Sequence, residues 1–206
     1  MNEKDVKQIL LNELHFTQDA LYKLDTFCSE VIEYNKKYNL ISKSTIPNIW
    51  DRHVLDSAQL VKFVRFDDGL SLADLGTGAG FPGIVLAIYN RNSEFHVKLY
   101  EKSKVKTKFL KNLCQKLNIN ASIHENDYQS HIIKCDYVVS RAFKKLEEHV
   151  RISHETIEVN HKLIILKGKS AEEEIKKLNK NLNYSYSLEK SITDSESKIL
   201  VIEIKK

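Results

Sequence analysis

The segment Ala73-Asp74-Leu75-Gly76-Thr77-Gly78-Ala79-Gly80-Phe81-Pro82-Gly83 constrains this chain more than any other, because it joins two apolar runs of different period. The run before it, from Leu70, reads as a buried strand, and the run after it, Ile84 to Tyr89, has the length and spacing of a helix. A glycine-rich turn from strand into helix marks an open α/β sheet, in which ligands bind in the crevice outside the strand ends. Glycines at 76, 78 and 80 let the backbone turn sharply and approach a bound molecule with no Cβ in the way. Pro82 suits the first turn of the helix that follows.

Downstream, short apolar runs alternate with amphipathic stretches. FHVKLYE, ASIHE, CDYVVS and HKLIILKG read as further strands, and Lys104 to Leu117, Leu146 to Ile157 and Ala171 to Leu182 as helices. This βαβ alternation predicts a parallel sheet wound with helices on both faces. Two last runs, Tyr184 to Leu188 and Lys198 to Ile204, are separated by a turn-like Thr193-Asp194-Ser195-Glu196, which predicts an antiparallel hairpin at the sheet edge. The first part of the chain is different. Val6, Ile9, Leu10 and Leu14 form one helical stripe, and Leu21, Leu24, Phe27, Val31 and Tyr34 another, with Thr17 as N-cap between them. A third helix is expected to start near Pro47, capped by Thr45 or Ser44, with Ile49, His53 and Leu60 on its apolar stripe. The expected organisation is an N-terminal helical cap over 1–69 and a Rossmann-like domain over 70–206.

A chain of 206 residues, 42% hydrophobic, can bury one sizeable core and a small appendage. Its apolar runs are far shorter than the ~20 residues that cross a bilayer, and the amino-terminal stretch lacks the apolar core of a signal peptide, so a cytoplasmic protein with no membrane partner is expected. Cys28, Cys114 and Cys135 form no CxxC pair, which excludes a zinc cage and a disulfide framework; no metal is expected. Residues 1–70 carry 9 basic and 11 acidic groups, and residues 71–206 carry 23 and 17. The positive excess on the second segment suits a polyanion without specifying one. With no coiled coil and no long apolar surface stripe, the expected state is a monomer.

The loop itself discriminates among ligands. A P-loop would continue into Gly-Lys-Ser/Thr, which is missing, and a dinucleotide fingerprint would need glycine where Phe81 stands. The acidic-x-GxGxG pattern that remains resembles the first motif of Rossmann-like methyltransferases, whose ligand is S-adenosylmethionine. Glu101 ends the next strand 25 residues after Gly76, near the ~20-residue offset at which a carboxylate accepts bonds from ribose hydroxyls. After the fourth strand the chain reads Val139-Ser140-Arg141-Ala142-Phe143. It lacks the Asn/Asp-Pro-Pro-aromatic motif of exocyclic-amine methyltransferases, and no cysteine stands in the Pro-Cys context of a carbon-5 nucleophile. A ring nitrogen such as guanine N7 needs alignment more than a general base. Arg141 is then the candidate for holding the cofactor carboxylate, or an RNA phosphate or base edge.

Tyr38-Asn39-Leu40, Arg52-His53-Val54-Leu55-Asp56-Ser57, Asp74 to Gly83, Ser140-Arg141-Ala142 and Leu166-Lys167-Gly168 together resemble, in order and over essentially the whole chain, the ribosomal RNA small subunit methyltransferase G family. The resemblance implies a class I methyltransferase fold and transfer of methyl from S-adenosylmethionine to N7 of one guanine in 16S ribosomal RNA. The RNA would be met free, in the 30S subunit or in an assembly intermediate. It also implies cofactor contacts at Gly76, Phe81, Asp127, Tyr128 and Arg141, beside Gly78, Gly80 and Glu101 from the loop reading. Where the family often has an arginine this chain has Asn126.

Six lysines and no acids lie between Lys102 and Lys116, and Lys104, Lys108 and Lys111 share one helical face, which suits phosphate contact as well as plain solvation. Lys167, directly after an apolar strand, would contact RNA or line the acceptor pocket; it also stands where a ribose 2'-O-methyltransferase carries a lysine. Asn39, His53 and Asp56 would form the mouth where the cap meets the cofactor site, His53 and Asp56 on a shared helix face. An RNA-binding module without catalysis and a methyltransferase for small molecules remain as alternative readings.

Overall fold

In the computed structural model, which describes residues 1–125, 130–141, 145–178 and 183–206, seven strands form one sheet. They are β1 (Ser71–Leu75), β2 (His96–Glu101), β3 (Ala121–Glu125), β4 (Tyr137–Arg141), β5 (His161–Lys167), β6 (Tyr184–Lys190) and β7 (Lys198–Ile204). Their order is β3-β2-β1-β4-β5-β7-β6. The first five run parallel, with Asp74 opposite Leu99 and Val139 opposite Ile164. The expected hairpin forms, with β7 antiparallel to both β5 and β6. Strand order reverses between β1 and β4, the switch point at which such sheets open a ligand crevice.

Alternation along each strand sorts the core into two layers. Leu72, Val97, Leu99, Val139, Ile164 and Val201 face one side, where they meet α4 (Gly83–Tyr89), α5 (Lys104–Leu117) and the cap helices α1 (Glu3–Asn12) and α2 (Gln18–Asn35). Ala73, Leu75, Val138, Leu163, Ile165 and Leu200 face the other, under α6 (Leu146–Thr156) and α7 (Ala171–Lys176). The central strands are buried almost throughout, whereas the edge strand β6 alternates serines with Tyr184, Tyr186 and Leu188 and is largely exposed. Among the described residues no helix is long and apolar enough to cross a membrane.

Thr17 caps α2 as expected, its Oγ1 accepting from Ala20 N at 3.1 Å, and Asn2 caps α1 in the same way. The third cap helix does not form as one piece. Lys43–Asn48 is a 3-10 turn, Trp50–Leu55 a π turn, Asp56–Ala58 a single α turn (α3) and Gln59–Phe63 another 3-10 turn. Neither Ser44 nor Thr45 caps it. Ser44 bonds Ser42 Oγ, and Thr45 Oγ1 bonds Ser42 O and His53 Nε2 at 2.8 Å each. The side chains that would have closed a regular helix bond to Ser42 and His53 instead, while Ile49, His53 and Leu60 are buried as the stripe implied. Pro82 stands one position before α4 rather than in its first turn. The last expected helix ends at Lys176, and 179–182 lie outside the described residues.

Candidate active site

The glycine loop leaves β1 with Gly76 at φ +73°, Gly78 at +61° and Gly80 at +103°, conformations that residues with a Cβ rarely adopt. Their surroundings differ. A Cβ at Gly80 would meet Ile84 Cγ1 at 2.6 Å and Leu110 Cδ2 at 3.1 Å, so this glycine lets α4 and α5 pack. A Cβ at Gly78 would meet nothing nearer than 3.9 Å, where Lys106 Nζ lies across the gap. A Cβ at Gly78 would therefore clash with nothing; there the glycine serves the positive φ.

Two buried carboxylates hold the loop. Asp74 Oδ2 accepts from Gly83 N at 2.8 Å, tying the start of α4 to β1, and burial pushes its carboxyl up to about 6. Glu101 Oε2 accepts from Gly78 N at 2.9 Å and Oε1 from Ser103 N at 2.8 Å. The carboxylate expected to face a ribose thus also fixes the loop to the end of β2. Nearby, Ser140 Oγ at the end of β4 is buried with no hydrogen-bond partner among the described residues. A glycine turn at positive φ, a strand-end carboxylate and an unpartnered hydroxyl at the switch point fit an adenosyl amino acid.

Phe81 turns its ring away from the loop into the cap, 4.7 Å from Phe27 and 5.0 Å from His53 between centroids. Arg141, the last residue of β4, lies over the same ring at 5.4 Å. Its Nη2 is 2.7 Å from His53 Nδ1, and its Nη1 donates to Arg52 O at 3.2 Å. Burial, then the positive charges of Arg141 and Arg52, hold the His53 imidazole down to about 3. The neutral ring must accept from the arginine at Nδ1, so the proton sits on Nε2 and is donated to Thr45 Oγ1. Thr45 in turn donates to Ser42 O. Cap and sheet are thereby joined by a directional chain from Arg141 through His53 and Thr45 to the backbone.

Beyond Arg141, over the ends of β4 and β5, a pocket of about 360 Å3 opens. Arg52, His53 and Asp56 enter it from the cap, Arg141 and Lys167 from the strands, and Thr193 and Asp194 from the β6–β7 turn. Asp56 and His53 do not act together: Asp56 Oδ1 accepts from Gln59 Nε2 at 3.1 Å and from Thr193 Oγ1 at 3.0 Å, while Ser57 Oγ donates to His53 O. Lys167 lines this pocket but is also ion-paired. Its half-buried ammonium pairs with Glu174 Oε2 at 2.7 Å, and Glu174 also accepts from Leu146 N and Ser170 Oγ. Lys104, Lys108 and Lys111 lie exposed along α5, with Lys111 paired to Glu125 at 2.7 Å. Asn39 is exposed; the buried Asn35 shapes that corner by accepting from Leu40 N and Ile41 N. Asp127 and Tyr128 lie outside the described residues. The sequence offered Thr45 only as a helix cap, Lys106 only as one of a lysine run, and Thr193 and Asp194 only as a turn; their places at the site come from the fold.

A family model described as rRNA small subunit methyltransferase G matches residues 20–202. This chain belongs to the rRNA small subunit methyltransferase G family. A protein named ribosomal RNA small subunit methyltransferase G from Pelagibacter ubique is 33% identical over 199 residues, spanning 94% of this chain and 93% of that one. Its namesake from Rickettsia bellii is 36% identical over 184 residues, 89% and 93% of the two chains. Among solved structures, a SAM-dependent methyltransferase from Aquifex aeolicus is similar at a TM-score of 0.58 and 14% identity, covering 78% of this chain and 94% of its own. M. jannaschii TYW2 in complex with AdoMet is similar at 0.53 and 15%, covering 72% and 74%. At such identities these structures speak for the fold alone, and the fold is that of S-adenosylmethionine-dependent methyltransferases.

Proposed function

We propose that this chain transfers methyl from S-adenosylmethionine to N7 of one guanine in 16S ribosomal RNA, as a monomer in the bacterial cytoplasm. The observation that carries the reading is the pocket beside Arg141, whose one histidine is engaged on both ring nitrogens. A site with no imidazole free to take a proton suits an acceptor that has none to lose. The three cysteines support the same conclusion. All are buried outside the pocket, and burial pushes the thiols of Cys114 and Cys135 up to about 11 and about 12, far from a nucleophilic thiolate. Lys167, held by Glu174, is unlike the free lysine that ribose methylation would use.

Bound at the loop, the cofactor would supply an electrophilic methyl carried on a sulfonium. Gly76, Gly78 and Glu101, with the backbone at Phe81 and with Asp127 and Tyr128, would hold it. Arg141 would orient its carboxylate or the base. Residues 1–69 would form the cap that closes the acceptor pocket over residues 70–206, through Arg52, His53 and Asp56. Rate would then come from alignment and exclusion of water. The test is mass spectrometry of 16S RNA from cells with and without the gene. Loss of a single 7-methylguanine is expected, and an unchanged content would overturn the assignment. Exchanging Lys104, Lys108 and Lys111 for Glu should lower methylation of ribosomal RNA and leave cofactor affinity intact, if that face of α5 meets phosphate.

A further inference from the structure

The pocket beyond Arg141 has a mixed electrostatic character. Arg52, Arg141 and Lys167 reach it, but so do the carboxylates of Asp56 and Asp194. A phosphate would be repelled by two carboxylates. A nucleobase would not, because its edges carry donors and acceptors side by side. The volume of about 360 Å3 lies at the low end of the roughly 300–1,000 Å3 typical of small-ligand pockets, in keeping with one base taken out of its stack.

Asp56 is placed in this pocket with only half of its carboxylate committed. Oδ1 takes both internal donors, Gln59 Nε2 and Thr193 Oγ1, and no described group donates to Oδ2. The anchoring is deep, since Gln59 is buried and its Oε1 accepts from Ile192 N at 2.9 Å. The side chain is therefore held in place at the pocket wall. We propose that Asp56 is the residue that selects guanine, its free Oδ2 accepting from the Watson–Crick edge of the target base. Guanine presents N1–H and the N2 amine side by side on that edge; at the same two positions adenine offers a bare N1 and a C–H, its one amine lying where guanine has O6. The contact leaves N7, and the O6 that lies between it and N1, free to face Arg141 and the methyl donor. It also strengthens as the reaction proceeds, because methylation at N7 puts positive charge on the ring while the carboxylate stays fixed.

This inference rests on the proposed guanine specificity, and the test separates the two. The substrates are 30S subunits reconstituted with 16S RNA that carries either guanosine or a single inosine at the methylated position. Inosine keeps N1–H and N7 and lacks only the N2 amine. The wild-type chain should use guanosine about tenfold to a hundredfold better in kcat/KM, as loss of one hydrogen bond to a charged group implies. Asp56→Asn keeps an oxygen for Gln59 and Thr193 and turns an amide N–H₂ toward the base. It should lower kcat on guanosine and bring the guanosine-to-inosine ratio close to one, with S-adenosylmethionine binding by calorimetry unchanged. A wild-type ratio near one overturns the inference without any variant. A ratio unchanged in Asp56→Asn, or in Asp56→Ala should the first variant melt early, overturns it too. A wild-type chain that leaves the guanosine subunits unmethylated would instead fail the proposed function, and this inference with it.

Discussion

Replacing His53 with Gln isolates what its environment does to the imidazole. Below its unfolded value of about 6.5 the ring of an unfolded chain takes a proton that the folded one refuses until about 3. Stability tied to this group is therefore present above about pH 6.5 and is lost as pH falls toward 3. Each unit is worth about 1.36 kcal/mol, so at pH 5 the wild-type chain has lost about 2 kcal/mol through His53 alone. Glutamine does not titrate. At pH 7 the variant should be the less stable protein by about 1–3 kcal/mol, for the bonds to Arg141 and Thr45 and the contact with Phe81. On moving to pH 5 that deficit should shrink or vanish, because only the wild type pays the protonation cost. Urea unfolding of both proteins at pH 7, 6 and 5 reads the difference directly, since every other titrating group is common to the pair. Parallel stability curves would show that the folded imidazole takes a proton at ordinary pH and does not accept from Arg141.

Asp74→Asn should show the opposite slope. The folded carboxyl titrates near 6 against about 3.9 unfolded, so its contribution is fully present below pH 4 and lost as pH rises through 6, and wild type minus variant should fall by roughly 3 kcal/mol across that window in the same unfolding assay. Thr45→Val removes the acceptor for the His53 Nε2 proton; a destabilisation of about 1–3 kcal/mol at pH 7 is expected, together with a change in the His53 nitrogen NMR shifts, and an unaltered spectrum would refute the assigned tautomer. Gly83→Ala would set a Cβ 2.3 Å from Leu99 Cδ2 and 2.7 Å from Asp74 Oδ2 inside the core, costing about 1–3 kcal/mol or more by thermal melting.

The sheet and its flanking helices were legible because their periodicities are strong and their neighbours are near in sequence. The glycine loop was legible for the same reason, and the structure adds a distinction that spacing does not carry: a Cβ at Gly78 would be tolerated sterically, while Gly80 and Gly83 make room for neighbouring side chains. The helix expected to start near Pro47 is instead a run of short turns of different pitch. Its apolar stripe is real, but Thr45 and Gln59 put their side chains into contacts with His53 and with the β6–β7 turn, and the backbone tightens and loosens to allow it. Lys167 was read as an RNA contact or a pocket residue, and it does line the pocket, but its pairing with Glu174, seven residues on in another element, had no local pattern to announce it. Arg141 was found from its place after β4, yet the ring nitrogen that holds it comes from the cap, 88 residues earlier. Site residues set by such long-range pairings leave no local pattern to read.

The position of β7 between β5 and β6 sets an order of assembly at odds with the order of synthesis. A growing chain makes β6 first, but β6 touches the sheet only through β7, so the hairpin's first arm waits for its second. Until then the edge of β5, with Leu163, Ile164, Ile165 and Leu166 in a row, is an apolar template open to any passing strand. Ile199 to Ile202 are thus the residues that close the molecule against its neighbours. Substitutions there should show first as aggregates formed during expression, before any change in the properties of the molecules that do fold.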